Sequence, residues 1–271
     1  MGPRMRRLIR FPCGDDQLSG SLEGGARSVG LLCVTGGTQI RTGPHRMLHQ
    51  ITARVAAAGY PAMRYDRRGV GDSDGADPGY LASGPDLAAA TAAFRSAVPE
   101  LTAVVGFGLC DGATTLALHG QQANLFALVL ANPWLVEAIQ DEPAPAAARA
   151  HYRKRFLSPL AWRDVLTGKV DLLGAAKSLL GAVAAPEDKS LSTQVARALA
   201  PYAGKLTLIL ARGDNTAIAA RACWNDSAFA DIRGERIVTI DTDAHTFARP
   251  GDLDRVADEV LALMRHVEDD A

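Results

Sequence analysis

Short, nearly unbroken apolar runs recur along this chain, each separated from the next by a stretch of helical periodicity, and that alternation leaves few folds open. Val29–Val34, Pro61–Tyr65, Leu101–Phe107, Leu125–Leu130, Leu206–Ala211 and Arg236–Ile240 read as strands. Continuous apolar character suits a strand covered on both faces. Between them fall helical patterns over His45–Ala58, closed by Gly59, over Asp86–Ala97 after Ser83-Gly84-Pro85, and over Asp111–Gln122, with an amphipathic helix over Asp252–Arg265 at the end. Strands that alternate with helices predict a parallel sheet with right-handed crossovers. Arg7–Phe11 and Leu18–Leu22, joined by the turn Gly14-Asp15-Asp16, predict an antiparallel edge pair and bring the sheet to eight strands.

The alternation lapses between Pro133 and Pro201. Helical periodicity without a strand runs through Pro143–Arg155, Leu160–Leu166, Leu172–Val183 and Leu191–Leu199. The expected organisation is therefore a core over residues 1–133, a helical lid insertion over 134–200 above the carboxyl edge of the sheet, and a return to the core over 201–271. The apolar residues of the insertion, Leu160, Trp162 and Leu172 among them, suit a lid that sets substrate choice, or simply packing on the core.

Composition excludes several classes. The 271 residues are 48% hydrophobic and 22% charged, which is enough to bury a normal core, and the formal net charge is −1. That balance argues against a nucleic-acid partner. Met1–Arg10 carries four arginines with no apolar stretch after them, and no segment is long enough to cross a bilayer. A cytoplasmic location without a signal peptide is the expectation. The four cysteines, Cys13, Cys33, Cys110 and Cys223, follow no metal-ligand spacing, so no metal or other cofactor is expected and each cysteine is either core or chemistry.

Chemistry is expected at Cys110. Gly108-Leu109-Cys110-Asp111-Gly112 spells G-x-C-x-G between an apolar strand and a helix. The serine form of this pattern marks a tight strand-to-helix turn with a strained, exposed central nucleophile. Side chains at Gly108 and Gly112 would clash across the turn, and the helix N-terminus favours a thiolate and the oxyanion it generates. A pentapeptide alone is a weak signal in a chain with 26 glycines; the flanking strand and helix give it weight. Cys33, inside a strand, reads as core, and Cys13 and Cys223 have no motif around them.

A cysteine nucleophile needs a base, and the base an orienting acid. His245 follows the last strand and is the expected base, whereas His45, His49, His119, His151 and His266 lie in or near helices. Asp214, after the strand Leu206–Ala211, is the expected acid; Asp241 and Asp243 are rivals that stand too near His245 in the chain. Two backbone N–H groups would receive an oxyanion: that of Asp111, and that of Gly37 or alternatively Thr38 in Thr35-Gly36-Gly37-Thr38-Gln39.

Together with Asp66-Arg67-Arg68-Gly69-Val70-Gly71-Asp72-Ser73, which is similar to a D-x-R-G-x-G-x-S segment, these motifs resemble the α/β-hydrolase superfamily. The chain more closely resembles the exosortase A system-associated hydrolases, type 1 branch. That likeness is carried by Gly36-Gly37-Thr38-Gln39, Gly43-Pro44-His45-Arg46, Gly108-Leu109-Cys110-Asp111-Gly112, Asn132-Pro133-Trp134, Leu157-Ser158-Pro159 and Trp162-Arg163. Thr38 departs from it, standing where proline is expected. The resemblance implies an α/β-hydrolase fold with a helical lid and a hydrolase encoded beside exosortase and exopolysaccharide genes. His45 and Arg46 are candidate substrate contacts, Arg46 suited to a carboxylate or phosphate; a solvent-facing pair at a helix start fits the same residues.

The expected activity is hydrolysis of an ester or thioester of a small-molecule acyl substrate through an acyl-cysteine intermediate. An amide's tetrahedral intermediate would tend to expel the thiolate instead. An acyltransferase with the same site, and a non-catalytic binding protein of this fold, are the rivals. Added acceptors separate the first, and an absence of acyl-enzyme would favour the second. Oligomeric state has no signature in the sequence.

Overall fold

The computed structural model describes residues 6–136 and 190–270. Eight strands form one sheet in the order β1-β2-β4-β3-β5-β6-β7-β8. They are β1 (Arg6–Cys13), β2 (Asp16–Glu23), β3 (Val29–Val34), β4 (Ala62–Asp66), β5 (Ala103–Leu109), β6 (Ala127–Ala131), β7 (Leu206–Ala211) and β8 (Arg236–Ile240). β2 pairs antiparallel with β1 and β4, and every other pairing is parallel. The expected mostly parallel sheet is thus present, each strand within a few residues of its apolar run.

The helices are α1 (Met47–Ala57), α2 (Gly84–Ala97), α3 (Asp111–His119), α4 (Leu191–Leu199), α5 (Asn215–Trp224) and α6 (Asp252–Asp270). Alternate strand residues feed two cores. Val29, Leu31 and Cys33 of β3 join Ile51 and Val55 of α1 and Val256 and Val260 of α6 on one face. Leu32 and Val34 join Phe94 of α2, Leu116 of α3 and Val195 and Leu199 of α4 on the other. Period-two alternation sends neighbouring strand residues to opposite faces, so a strand sandwiched between helix layers must be apolar throughout. Among the described residues no helix is long and apolar enough to cross a membrane.

Leu191–Leu199 is a helix over the span its periodicity indicates, and its apolar stripe packs into the core beside α3 and the turn Ser227–Ile232. The helices expected over Pro143–Arg155, Leu160–Leu166 and Leu172–Val183 lie outside the described residues. The helix expected from His45 begins at Met47 instead. His45 (φ 38°) and Arg46 (φ 65°) are left-handed, and Pro44–Arg46 forms a tight turn that enters α1 at an angle.

Strand order positions the site. β3 lies between β4 and β5, so the chain leaves β3 on one side for β4 and returns on the other for β5. The connections after β3 and β5 therefore diverge and open a crevice at the carboxyl ends of these strands. Thr35–Gln39 and Cys110 border it.

Candidate active site

Cys110 stands at the corner between β5 and α3 with φ 58° and ψ −126°, a conformation that costs a non-glycine residue about 1–3 kcal/mol. The corner is tight on every side. A Cβ on Gly108 would lie 2.7 Å from the Ala113 nitrogen, and one on Gly112 would lie 2.6 Å from the Thr35 carbonyl oxygen. The two flanking glycines thus let α3 press against both its own strand and the end of β3. The Cys110 N–H donates to the Ala131 carbonyl (3.0 Å), and its carbonyl accepts from Trp134 N–H (3.2 Å). The Cys110 side chain is half-buried. Cys33, by contrast, is fully buried in the core, which pushes its thiol up to about 12.

His245 and Asp214 meet at this corner. The ring's Nδ1–H donates to Asp214 Oδ2 at 3.0 Å. The same carboxylate oxygen caps α5 by accepting from Ala217 N–H at 2.9 Å, so helix and imidazole fix it together. The hydrogen bond to Asp214 and then the neighbouring Cys110 side chain hold His245 protonated up to about 10, against the opposing cost of burial. A raised folded value means that the stability this cluster contributes is complete below the ring's ordinary value of about 6.5 and is lost as pH rises toward and through about 10.

The other candidates are engaged elsewhere. Asp241 pairs with Arg212 (3.0 Å) and Asp243 with Arg249 (2.6 Å). The His49 ring contacts Arg6, His119 contacts the Leu81 carbonyl, and His266 contacts Asp270. His151 lies outside the described residues.

Both expected oxyanion donors flank Cys110. The loop after β3 crosses so closely that a Cβ on Gly36 would lie 3.3 Å from Cys110 Cβ. Gly37, at φ 57°, donates its N–H to Asp111 Oδ1 at 2.6 Å, so the residue carrying one donor holds the other donor through its side chain. The N–H of Thr38 has no protein partner among the described residues. Farther along the loop, Arg41 is fastened by Asp66, which is fully buried. The Asp66 carboxylate accepts from the Arg41 N–H (2.5 Å), the Arg41 guanidinium and the Asp72 N–H (3.1 Å). The D-x-R-G-x-G-x-S segment thus shapes its own turn and anchors the loop that bears Gly37 and Thr38.

Asn132 joins two parts of this site, a role that no motif in the sequence marks. It is fully buried at φ 41°, accepts from Ala211 N–H (2.8 Å) through Oδ1 and donates through Nδ2 to the His245 carbonyl (2.7 Å). One amide therefore ties the strand that leads to Asp214 to the loop that bears His245. His45 grips the next peptide, its Nε2 lying 2.8 Å from the Thr246 carbonyl. Left-handed asparagine directly after a buried strand was the available signal, but it is indistinguishable in sequence from an ordinary turn. Arg46 is exposed and makes no ion pair among the described residues. Replacing Asn132 with alanine would strand a buried N–H and a carbonyl, and urea unfolding is expected to show a loss of about 2–4 kcal/mol.

No protein-family model and no curated protein matches the chain in sequence. Solved structures do match in shape. An esterase from Pyrococcus furiosus superposes with a TM-score of 0.65 at 15% identity, covering 97% of this chain and 91% of that one. DcsB, solved with a substrate analogue, gives 0.65 at 17% identity over 97% and 99% of the two chains. A dienelactone hydrolase from Anabaena variabilis gives 0.63 at 15% identity over 98% and 99%. Sheet order, the strand-to-helix corner and these likenesses agree, and the chain has the α/β-hydrolase fold.

Proposed function

We propose that the protein is a hydrolase of esters or thioesters that works through Cys110, His245 and Asp214. The observation that carries this reading is the convergence, at one strained corner, of a half-buried thiol, an imidazole that feels its charge and a carboxylate hydrogen-bonded behind that imidazole. The esterase and dienelactone hydrolase of the same fold support it by analogy.

His245 is held protonated up to about 10, so in this reading an imidazolium stands beside the sulfur, where its charge favours attack as the thiolate. The thiolate attacks the acyl carbonyl, a C–S bond forms, and the carbonyl electrons move to oxygen. The oxyanion rests on the N–H of Asp111 and on a donor of the loop after β3, Gly37 or Thr38. Collapse breaks the bond to the leaving alkoxide or thiolate, which takes the proton from His245. Neutral His245 then takes a proton from water as the hydroxyl attacks the thioester, and the proton it gains restores the starting pair as the carboxylic acid leaves.

The reaction favours good leaving groups, since an amide intermediate returns to thiolate and substrate. The resemblance to exosortase-associated hydrolases directs attention to acyl groups of exopolysaccharide chemistry, with transfer to a sugar hydroxyl as the alternative fate of the acyl-enzyme. A panel of 4-nitrophenyl esters, N-acetylcysteamine thioesters and matched 4-nitroanilides tests the reading. Turnover of esters and thioesters with anilides inert is expected; equal cleavage of anilides, or no turnover of any class, would contradict it.

A further inference from the structure

The contact between Gly37 N–H and the Asp111 carboxylate sets a problem for the site. At 2.6 Å, Oδ1 takes the hydrogen bond that an oxyanion would receive from Gly37. The carboxylate also lies close over the adjacent residue, since a Cβ on Gly36 would be 2.8 Å from Oδ1 as well as 3.3 Å from Cys110 Cβ. A carboxylate thus already occupies the Gly37 half of the hole, where it competes with an incoming carbonyl and would repel the charge that develops on it. Its second oxygen, Oδ2, has no hydrogen-bond partner among the described residues.

Resting on the Cys110 reading above, with Gly37 as the loop's oxyanion donor, we propose that Asp111 is a specificity-determining residue that selects acyl groups bearing a hydroxyl or ammonium donor next to the carbonyl. Such a donor gives the carboxylate a replacement partner. Rotation of the side chain onto the substrate then frees the Gly37 N–H, and the two-donor hole is completed only around an acyl group of the right kind. A plain alkyl acyl group offers nothing in exchange, so it must leave the carboxylate unpaired or react with half a hole. Recognition and activation are thereby coupled, as in induced fit.

The test compares N-acetylcysteamine thioesters of 2-hydroxypropanoate and 2-methylpropanoate, which differ by a hydroxyl in place of a methyl. The ratio of their kcat/KM values, each normalised to its hydroxide-catalysed rate, is measured in the native protein, in Asp111→Ala and in Asp111→Asn. A native ratio of at least about tenfold is expected, falling to about one in Asp111→Ala, with part of the loss recovered as faster turnover of the methyl compound. Asp111→Asn, which retains an acceptor for Gly37 but lacks the charge, is expected to lower the ratio as well and serves if the alanine variant does not fold. A native ratio near one, or a ratio that survives loss of the carboxylate, would overturn the proposal. Intact-mass detection of acyl-enzyme on the native protein is run alongside: its absence would sink the Cys110 reading itself, whereas its presence with an unchanged ratio would sink only the role of Asp111.

Discussion

Cys110→Ala is expected to lower kcat/KM for an activated ester by a factor on the order of 10⁴ or more, because it removes the thiol proposed to form the acyl intermediate. The same position offers a second readout that separates chemistry from architecture. At φ 58° and ψ −126°, any side chain with a Cβ is strained, and alanine keeps that strain while glycine removes it. Cys110→Gly should therefore be as inactive as Cys110→Ala yet more stable than it by about 1–2 kcal/mol, measured by urea unfolding of the two variants side by side. A glycine variant less stable than the alanine variant would mean that the corner is not strained as described. A more stable glycine variant would show function and stability trading against each other at a single residue, as expected where a reactive group is held in a disfavoured conformation.

The second large effect is expected at the acid. Asp214→Asn retains an acceptor for the Ala217 N–H, so α5 keeps its cap, but the charge behind the imidazole is gone. Loss of kcat on the order of 10³–10⁴ is expected, with KM little changed. Asp214 is the foremost cause that keeps His245 protonated to about 10. In the native protein, acylation should hold steady from pH 7 to about 9 and decline as pH rises through about 10, where the ring loses the proton it must give the leaving group. In Asp214→Asn that high-pH limb should move down toward the ordinary histidine range. A limb that stays in place, together with undiminished kcat, would assign the orienting role elsewhere.

Much of this architecture was legible before any coordinates. The strands of the central sheet announced themselves because burial on two faces forces unbroken apolar runs, and Val29–Val34 and Leu206–Ala211 have the bounds that their composition indicates. Cys110, Asp214 and His245 stood out because each follows a strand, and the carboxyl ends of parallel strands converge on one edge. The features hidden in the sequence are held by conformation and not by composition. His45 and Arg46 carry a helical pattern, yet both are left-handed and α1 starts after them. Helix α5 has a weak apolar stripe, being rich in small residues, and its capping aspartate fits an orienting acid equally well. Asn132 acts through a buried amide between two distant segments, and the Asp111 carboxylate acts on a loop 74 positions away. Contacts of that kind leave no periodicity to read.

Every step described for this site depends on the sulfur of residue 110 becoming covalently bonded to an acyl group. The most direct measurement is peptide-level mass spectrometry of the protein quenched in acid within its first turnover of a 4-nitrophenyl ester. The expected result is one added acyl mass, located on the peptide bearing Cys110, absent from Cys110→Ala and not found on Cys13, Cys33 or Cys223. An acyl group on another residue, or steady ester turnover by Cys110→Ala, would contradict the account.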